Sequence, residues 1–152
     1  MVSFFQYHFL LRVISVAFFL ACWPDHGIEG TDIRAKENKN EIGNIIISVK
    51  KNDKGYGIEI KDDGAGIDSD LVTKKAIENG IVSSEEVQNM SEGDKLKLIF
   101  RAGLSTKEQV SELSGRGVGM DVVITNIKKL GGEIDISTEK GVGTQFSISI
   151  KA

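Results

Sequence analysis

The chain of 152 residues contains few of the residue types that most often identify a function: one cysteine, two histidines and one proline. Cys22 has no second cysteine with which to form an internal disulfide, and no cysteine and histidine residues have the spacing of a metal site. The net charge is −3, and lysines are scattered among acidic residues, so the chain has no basic stripe. We therefore expect a reducing compartment and no bound nucleic acid.

The first 23 residues, MVSFFQYHFLLRVISVAFFLACW, are apolar but lack the features of a membrane anchor. Their charge-free run, Val13 to Trp23, is shorter than the roughly 20 apolar residues that cross a bilayer, and Arg12 would oppose insertion by about 2.5–3.5 kcal/mol. We predict that residues 1–24 are a separate apolar segment containing a buried helix, and that residues 25–152 form a cytoplasmic domain. Association with a membrane through residues 1–23 is the alternative.

Two pairs of segments alternate apolar and polar residues, as half-buried strands do. IIISVKK and YGIEIKDD flank NDKG and predict a β-hairpin with strands near residues 44–51 and 56–62. GEIDIS and TQFSISI, joined through TEKGVG, predict a second hairpin. The polar residues 29–44 are predicted as a loop.

Helical patterns separate the two hairpins. DSDLVTKKAIENG predicts a helix that stops at Gly80, and its inner face is formed by Leu71, Val72, Ala76 and Ile77. Capping boxes, Ser83 with Glu86 and Ser105 with Glu108, predict the starts of two short helices. A further helix is predicted from Met120 to the glycine pair Gly131 and Gly132. Its apolar face is formed by Met120, Val123, Ile124, Ile127 and Leu130. Hairpins separated by helices predict an α+β fold, a two-layer α/β sandwich with a largely antiparallel sheet and helices on one face.

The stretch SGRGVGMDVV carries glycines at every second position, Gly115, Gly117 and Gly119. It does not match the dinucleotide-binding pattern G-x-G-x-x-G, and it lacks the lysine and Ser or Thr of a P-loop. Glycines do let backbone N–H groups approach an anion, and a helix that begins near Gly119 would offer its positive end to the same place. The residues alone leave two alternatives open, a phosphate-binding loop and a flexible loop at a helix N-terminus.

Two further glycine-rich stretches favour a ligand site. KDDGAGID, residues 61–68, holds carboxylates at a strand end beside Gly64 and Gly66. Such a carboxylate accepts a hydrogen bond from an exocyclic amine, and the glycines leave room for a flat ring. KGVGTQF, residues 140–146, places Gly141, Gly143 and Thr144 in the turn of the second hairpin. Each stretch taken singly is also compatible with an ordinary turn.

These stretches, together with DHGIE, KAIENG and IFRAGLST, resemble in order and spacing the ATP-binding domain of histidine kinases, within the Hsp90, gyrase and MutL ATPase superfamily. The resemblance covers residues 25–152 and is greatest to the chemotaxis kinase family CheA. It implies the two-layer sandwich of that superfamily, incomplete at the N-terminus. It also implies that ATP binds, with Asp63 contacting the adenine, and that replacing Asp63 abolishes nucleotide binding.

The resemblance also assigns the other site residues. Gly64 and Gly66 would line the base pocket, Gly115, Gly117 and Gly119 would wrap the phosphates in a mobile lid, and His26 would lie near the phosphate end as the catalytic candidate. The implied nucleotide-binding residues are Asp63, Gly64, Gly66, Ile67, Phe100, Ser105, Thr106, Gly115, Arg116, Gly117, Val118, Gly119, Met120 and Thr144.

The sequence departs from the family at the helix that precedes DHGIE. There the family carries an asparagine that binds Mg²⁺, whereas this chain has Cys22, and a thiol is a poor substitute for an amide oxygen toward a hard cation. Pro24 also stands where the helix should continue. Mg²⁺ is therefore expected from the family although its usual ligand is missing, and no metal-binding residue is assigned. The departures suggest a C-terminal fragment of a kinase gene with a replaced start.

The resemblance predicts transfer of the γ-phosphoryl group of ATP to a histidine on another domain, in two-component chemotaxis signalling. The expected partners are ATP, a histidine phosphotransfer domain acting in trans and, through domains outside this chain, chemotaxis coupling proteins. The alternative is a catalytically impaired nucleotide-binding fragment, because Cys22 replaces the asparagine. A poorly folding remnant is a third possibility.

Overall fold

The structure is a computed structural model that describes residues 27–101 and 120–151. Four strands of this part form one sheet in the order β1-β2-β4-β3, and every neighbouring pair is antiparallel. The helices are α1 (Thr31–Lys36), α2 (Ser69–Glu78), α3 (Ser84–Gln88), α4 (Glu92–Lys97) and α5 (Met120–Lys129), with a 3-10 turn at Leu98–Phe100. The strands are β1 (Ile45–Asn52), β2 (Gly55–Asp62), β3 (Glu133–Glu139) and β4 (Gly143–Lys151).

Both predicted hairpins are confirmed. β1 pairs with β2 from Ile45 opposite Asp62 to Asn52 opposite Gly55, and β3 pairs with β4 from Glu133 opposite Ser149 to Glu139 opposite Gly143. The second turn is shorter than predicted, because the strands continue through Glu139 and resume at Gly143. β2 and β4 pair in the centre of the sheet, and this pairing brings the ends of the two hairpins together.

The core lies between one face of the sheet and the helices, which confirms the predicted α+β sandwich. Ile58 and Ile60 of β2 face the helices together with their β4 partners Ile148 and Phe146, and all of them are buried. The helices contribute the buried residues Val72, Ala76, Leu98, Ile99 and Ile127. Polar residues between the core positions, such as Glu59 and Ser147, are exposed on the opposite face.

The helix starts follow local side-chain chemistry. Asp68 caps α2 by accepting hydrogen bonds from the N–H groups of Asp70 and Leu71. Ser83 and Glu86 form the predicted capping box at α3. α5 spans Met120–Lys129 as predicted, and Ile124 and Ile127 of its apolar face are buried. The predicted capping box of Ser105 and Glu108 lies outside the described residues.

Two details of the predictions were wrong. Residues 29–44 are not a continuous loop, since they contain α1, whose Arg34 is buried. Leu71 is 49% exposed and does not belong to the inner face of α2, where Thr73 is buried in its place. Within the two described ranges, no helix has both the length and the apolar character needed to span a membrane.

Candidate nucleotide-binding site

Three backbone segments meet at the end of the sheet where β2 finishes and β4 begins. The turn after β2 donates the N–H of Ala65 to the carbonyl of Gly27 (2.8 Å), and the N–H of Gly141 donates to the carbonyl of Ala65 (2.8 Å). The turn formed by residues 62–66 is therefore held on one side by the start of the described chain and on the other by the β3–β4 turn.

Glycine is required at this meeting point because backbone occupies the space that a side chain would fill. A Cβ on Gly64 would overlap the carbonyl of Gly27, and one on Gly66 would overlap the carbonyl of Glu139. A Cβ on Gly143 would overlap the carbonyl of Asp62. The glycines of KDDGAGID and KGVGTQF thus allow the three backbone segments to come into contact. This role differs from leaving open space for a flat ring.

Asp62 is the buried carboxylate of the site, with a relative exposure of 6%. Its Oδ1 accepts hydrogen bonds from the backbone N–H of Gly64 (2.9 Å) and of Thr144 (3.1 Å). Among the described residues, both donors reach this same oxygen, so Oδ2 keeps its capacity to accept. The geometry provides a fixed carboxylate with one oxygen anchored and one available.

Burial raises the pKa of Asp62, and the two backbone N–H groups offset part of that increase. The nearby negative charges of Asp63 and Glu29 raise this pKa further. Asp62 has a raised pKa and is held by two backbone N–H groups, and no cationic side chain among the described residues pairs with it. This combination is typical of a functional carboxyl group.

Thr144 and Thr138 form a hydroxyl pair beside Asp62, with their Oγ1 atoms 3.1 Å apart. The Thr138 hydroxyl donates its single proton to the carbonyl of Gly143 (3.0 Å) and accepts from the N–H of Ile67 (2.8 Å). The Thr144 hydroxyl must then donate to Thr138, so that the Thr144 oxygen retains only the capacity to accept. Asp62 and Thr144 therefore both offer hydrogen-bond acceptors.

Asp63 has a different environment, since both of its oxygens are engaged by neighbouring groups. Oδ1 accepts from the backbone N–H of Asn44 (2.8 Å), and Oδ2 accepts from the Asn44 side chain (2.8 Å) and from Arg34 (3.1 Å). Burial raises the pKa of Asp63, but the hydrogen bonds from Asn44 and the Arg34 cation outweigh burial and hold this pKa below its usual range.

The sequence that contains these segments matches a recognised ATPase family. The family described as "Histidine kinase-, DNA gyrase B-, and HSP90-like ATPase" matches residues 31–152. The chain belongs to this family. It is 47% identical over 126 residues to the sensor histidine kinase CheAY of Helicobacter pylori, covering 83% of this chain and 16% of the relative. It is 41% identical over 126 residues to the chemotaxis protein CheA of Halobacterium salinarum, covering 83% of this chain and 19% of the relative.

A similar match, 43% identity over 124 residues, relates the chain to the chemotaxis protein CheA of Salmonella typhimurium and covers 82% of this chain and 18% of that protein. The resemblance to a CheA-type histidine kinase ATPase domain is thereby confirmed. The chain spans less than a fifth of the length of these curated relatives.

Several residues predicted for the site of this CheA-type domain lie within the described part of the chain. Gly64, Gly66 and Thr144 lie at the meeting point, and the N–H of Ile67 is bound to Thr138. Phe100 lies at the end of the 3-10 turn and is partly buried, with its ring centroid 6.4 Å from that of Phe146. Met120 begins α5.

The remaining predicted residues lie outside the described ranges. They are His26, Ser105, Thr106, Gly115, Arg116, Gly117, Val118 and Gly119. Cys22 also lies outside the described ranges. Within residues 27–101 and 120–151, no three or more acidic, histidine or cysteine side chains are grouped so as to hold a metal ion.

Sequence reasoning named Asp62 only as one of two carboxylates at the strand end and assigned the adenine contact to Asp63. It did not identify Arg34 or Thr138 as neighbours of this position. A signal for Asp62 existed, because Ile58, Ile60 and Asp62 follow the two-residue period of the buried face of β2. No local signal indicated Arg34, whose burial depends on partners distant in sequence.

Proposed function

We propose that this chain is the ATP-binding catalytic domain of a CheA-like histidine kinase. The observation that carries the proposal is the buried Asp62 carboxylate, with Oδ1 anchored by the N–H groups of Gly64 and Thr144. In the reaction, a bond forms between a histidine nitrogen and the γ-phosphorus, the bond from that phosphorus to the β,γ-bridging oxygen breaks, and ADP leaves.

We infer that Asp62, and not Asp63, accepts the hydrogen bond from the exocyclic amine of adenine. Among the described residues, no group donates to Asp62 Oδ2, which supports this assignment, whereas both oxygens of Asp63 already accept hydrogen bonds. The acceptor character of the Thr144 hydroxyl adds a second reason, because adenine presents a donor where guanine presents a carbonyl oxygen. Two acceptors at one position favour adenine and disfavour guanine.

The phosphate end of the proposed site rests on the resemblance alone. Gly115, Gly117 and Gly119 would bind phosphates through backbone N–H groups, and His26 would lie beside them. The proposed acceptor is a histidine phosphotransfer domain in trans, within chemotaxis signalling in the cytoplasm. Coupling proteins would be reached through domains outside this chain.

Titration calorimetry with ATP and GTP, with and without millimolar Mg²⁺, tests base recognition in a matched pair of variants. Asp62→Ala should weaken ATP binding by about 10- to 100-fold, since a hydrogen bond to a charged group contributes about 1.5–3 kcal/mol. Asp63→Ala should weaken it less. Equal ATP affinity in Asp62→Ala and the unmodified chain would refute the assignment.

A second measurement separates catalysis from binding. Radiolabelled ATP and an isolated histidine phosphotransfer domain of a CheA protein would report phosphoryl transfer directly. Transfer supports the kinase function. ATP-selective binding without transfer to any such domain would refute it and leave a nucleotide-binding module.

A further inference from the structure

We propose that Arg34 is a positioning residue for base recognition, acting through Asp63 on the turn that carries Asp62. This inference rests on the proposed function, because it assumes that Asp62 receives the adenine. It assigns a role to α1 and to the segment that follows it, which bear none of the residues predicted for the site.

Arg34 is 1% exposed, and each of its three guanidinium nitrogens donates to an acceptor. Its Nε donates to the carbonyl of Asn40 (2.7 Å), and one terminal nitrogen donates to Glu29 (3.1 Å) and to the carbonyl of Asp63 (3.2 Å). The other terminal nitrogen donates to the Asp63 carboxylate (3.1 Å). One guanidinium thus holds both the backbone and the side chain of the residue next to Asp62.

Lys39 extends this arrangement to the following residue. Its Nζ donates to the carbonyl of Gly64 (2.8 Å) and pairs with Glu29, which is 6% exposed and lies between the two cations. Gly64 is therefore held at its carbonyl by Lys39, while its N–H donates to Asp62 Oδ1. Any shift of this turn moves a donor that orients the Asp62 carboxylate.

The cluster contains two bases, Arg34 and Lys39, and three acids, Glu29, Asp63 and the exposed Glu37, which pairs with Lys39 at 3.3 Å. A buried ion-pair cluster is a weak source of net stability, because desolvation offsets most of the attraction. Its directional bonds do fix geometry, and the planar guanidinium does so in a way that an ammonium cannot. Positioning explains why these charged groups are concentrated at the turn that follows β2.

Arg34→Lys tests the inference, because it keeps the positive charge but loses the fork of donors. We expect the ATP dissociation constant of this variant to rise about tenfold, because a small misplacement of a recognition group weakens binding. GTP binding should be unchanged, so the selectivity for ATP over GTP should fall. Lys36→Met, an exposed position on the same helix, is the matched control and should bind like the unmodified chain. Thermal melts of each variant establish that the fraction titrated is folded.

A double-mutant cycle identifies the route of the effect. In an Asp63→Ala background, Arg34→Lys should cause a smaller further loss of ATP affinity, because the carboxylate is already absent and only the hydrogen bond to the backbone carbonyl of residue 63 is left to lose. Changes in the amide NMR shifts of Gly64 and Thr144 should accompany the loss in the single variant. A folded Arg34→Lys protein with unchanged ATP affinity and selectivity, or with additive losses in the cycle, would overturn the positioning role.

The same titrations keep this inference distinct from the proposed function. If Asp62→Ala weakens ATP binding while Arg34→Lys does not, only the positioning role fails. If the unmodified chain does not bind ATP, the proposed function fails and the inference fails with it. If the chain binds ATP but Asp62→Ala has no effect, the assignment of Asp62 fails, and the positioning role that rests on it fails too.

Discussion

Gly66 gives a direct test of the close backbone approach that builds the site. Its φ of +72° is a left-handed conformation, which costs a residue with a side chain about 1–2 kcal/mol. A Cβ there would also overlap the carbonyl of Glu139, and relieving such overpacking costs about 1–3 kcal/mol. Gly66→Ala should therefore lower the free energy of unfolding by about 2–5 kcal/mol, a large share of the roughly 5–15 kcal/mol typical of a domain.

Two glycines in the same structure separate the contributions. Gly141 has a similar φ of +78° but open space at its Cβ position, so Gly141→Ala should cost only about 1–2 kcal/mol from the backbone conformation. Gly57 has neither a left-handed φ nor a neighbour within 4 Å, and Gly57→Ala should change stability by less than about 0.5 kcal/mol. Urea unfolding followed by circular dichroism measures all three. Equal losses for Gly66→Ala and Gly141→Ala would refute the close-approach argument.

Two further predictions concern the charge of Asp62 and a helix cap. The pKa of Asp62 is higher in the folded chain than the 3.8 of the unfolded chain, so ionisation of this carboxyl costs folding free energy as the pH rises through the folded-state pKa. Asp62→Asn removes this cost, so it should raise the melting temperature at pH 7 and should not raise it well below pH 3.8. The same substitution should weaken ATP binding. Melting curves across pH in both proteins measure this, and a lower melting temperature for Asp62→Asn at pH 7 would contradict it. Ser83→Ala removes the capping box of α3 and should lower the free energy of unfolding, measured in urea, by about 1 kcal/mol. Ser84→Ala, one residue later, should lower it less. Equal losses in the two variants would refute the capping role.

The hairpins of the sheet could be predicted from the sequence because the residues that specify each of them lie close together along the chain. Alternation across IIISVKK and YGIEIKDD specifies which side chains are buried, and the short turn between them fixes the pairing of β1 with β2. The capping box of Ser83 and Glu86 is local in the same sense, since its partners are three residues apart.

α1 could not be predicted in this way. It has six residues, its N-cap Gly30 makes no side-chain hydrogen bond, and Arg34 is its one buried residue. A single buried cation gives no amphipathic pattern, and the groups that compensate its charge, Glu29 and Asp63, lie 5 and 29 residues away along the chain. The helix is specified by tertiary contacts, and only the assembled turn explains why an arginine is buried there.

The choice between Asp62 and Asp63 shows how strand geometry can refine a motif. Two adjacent carboxylates are indistinguishable by composition, but a strand directs successive side chains to opposite faces. Ile58 and Ile60 face the helices, so the next residue on that face is Asp62, which is buried where the strand ends. Asp63, one residue further, meets Arg34 and Asn44 instead. One residue of offset therefore separates a buried carboxylate that accepts only backbone N–H groups among the described residues, Asp62, from a carboxylate paired with Arg34, Asp63.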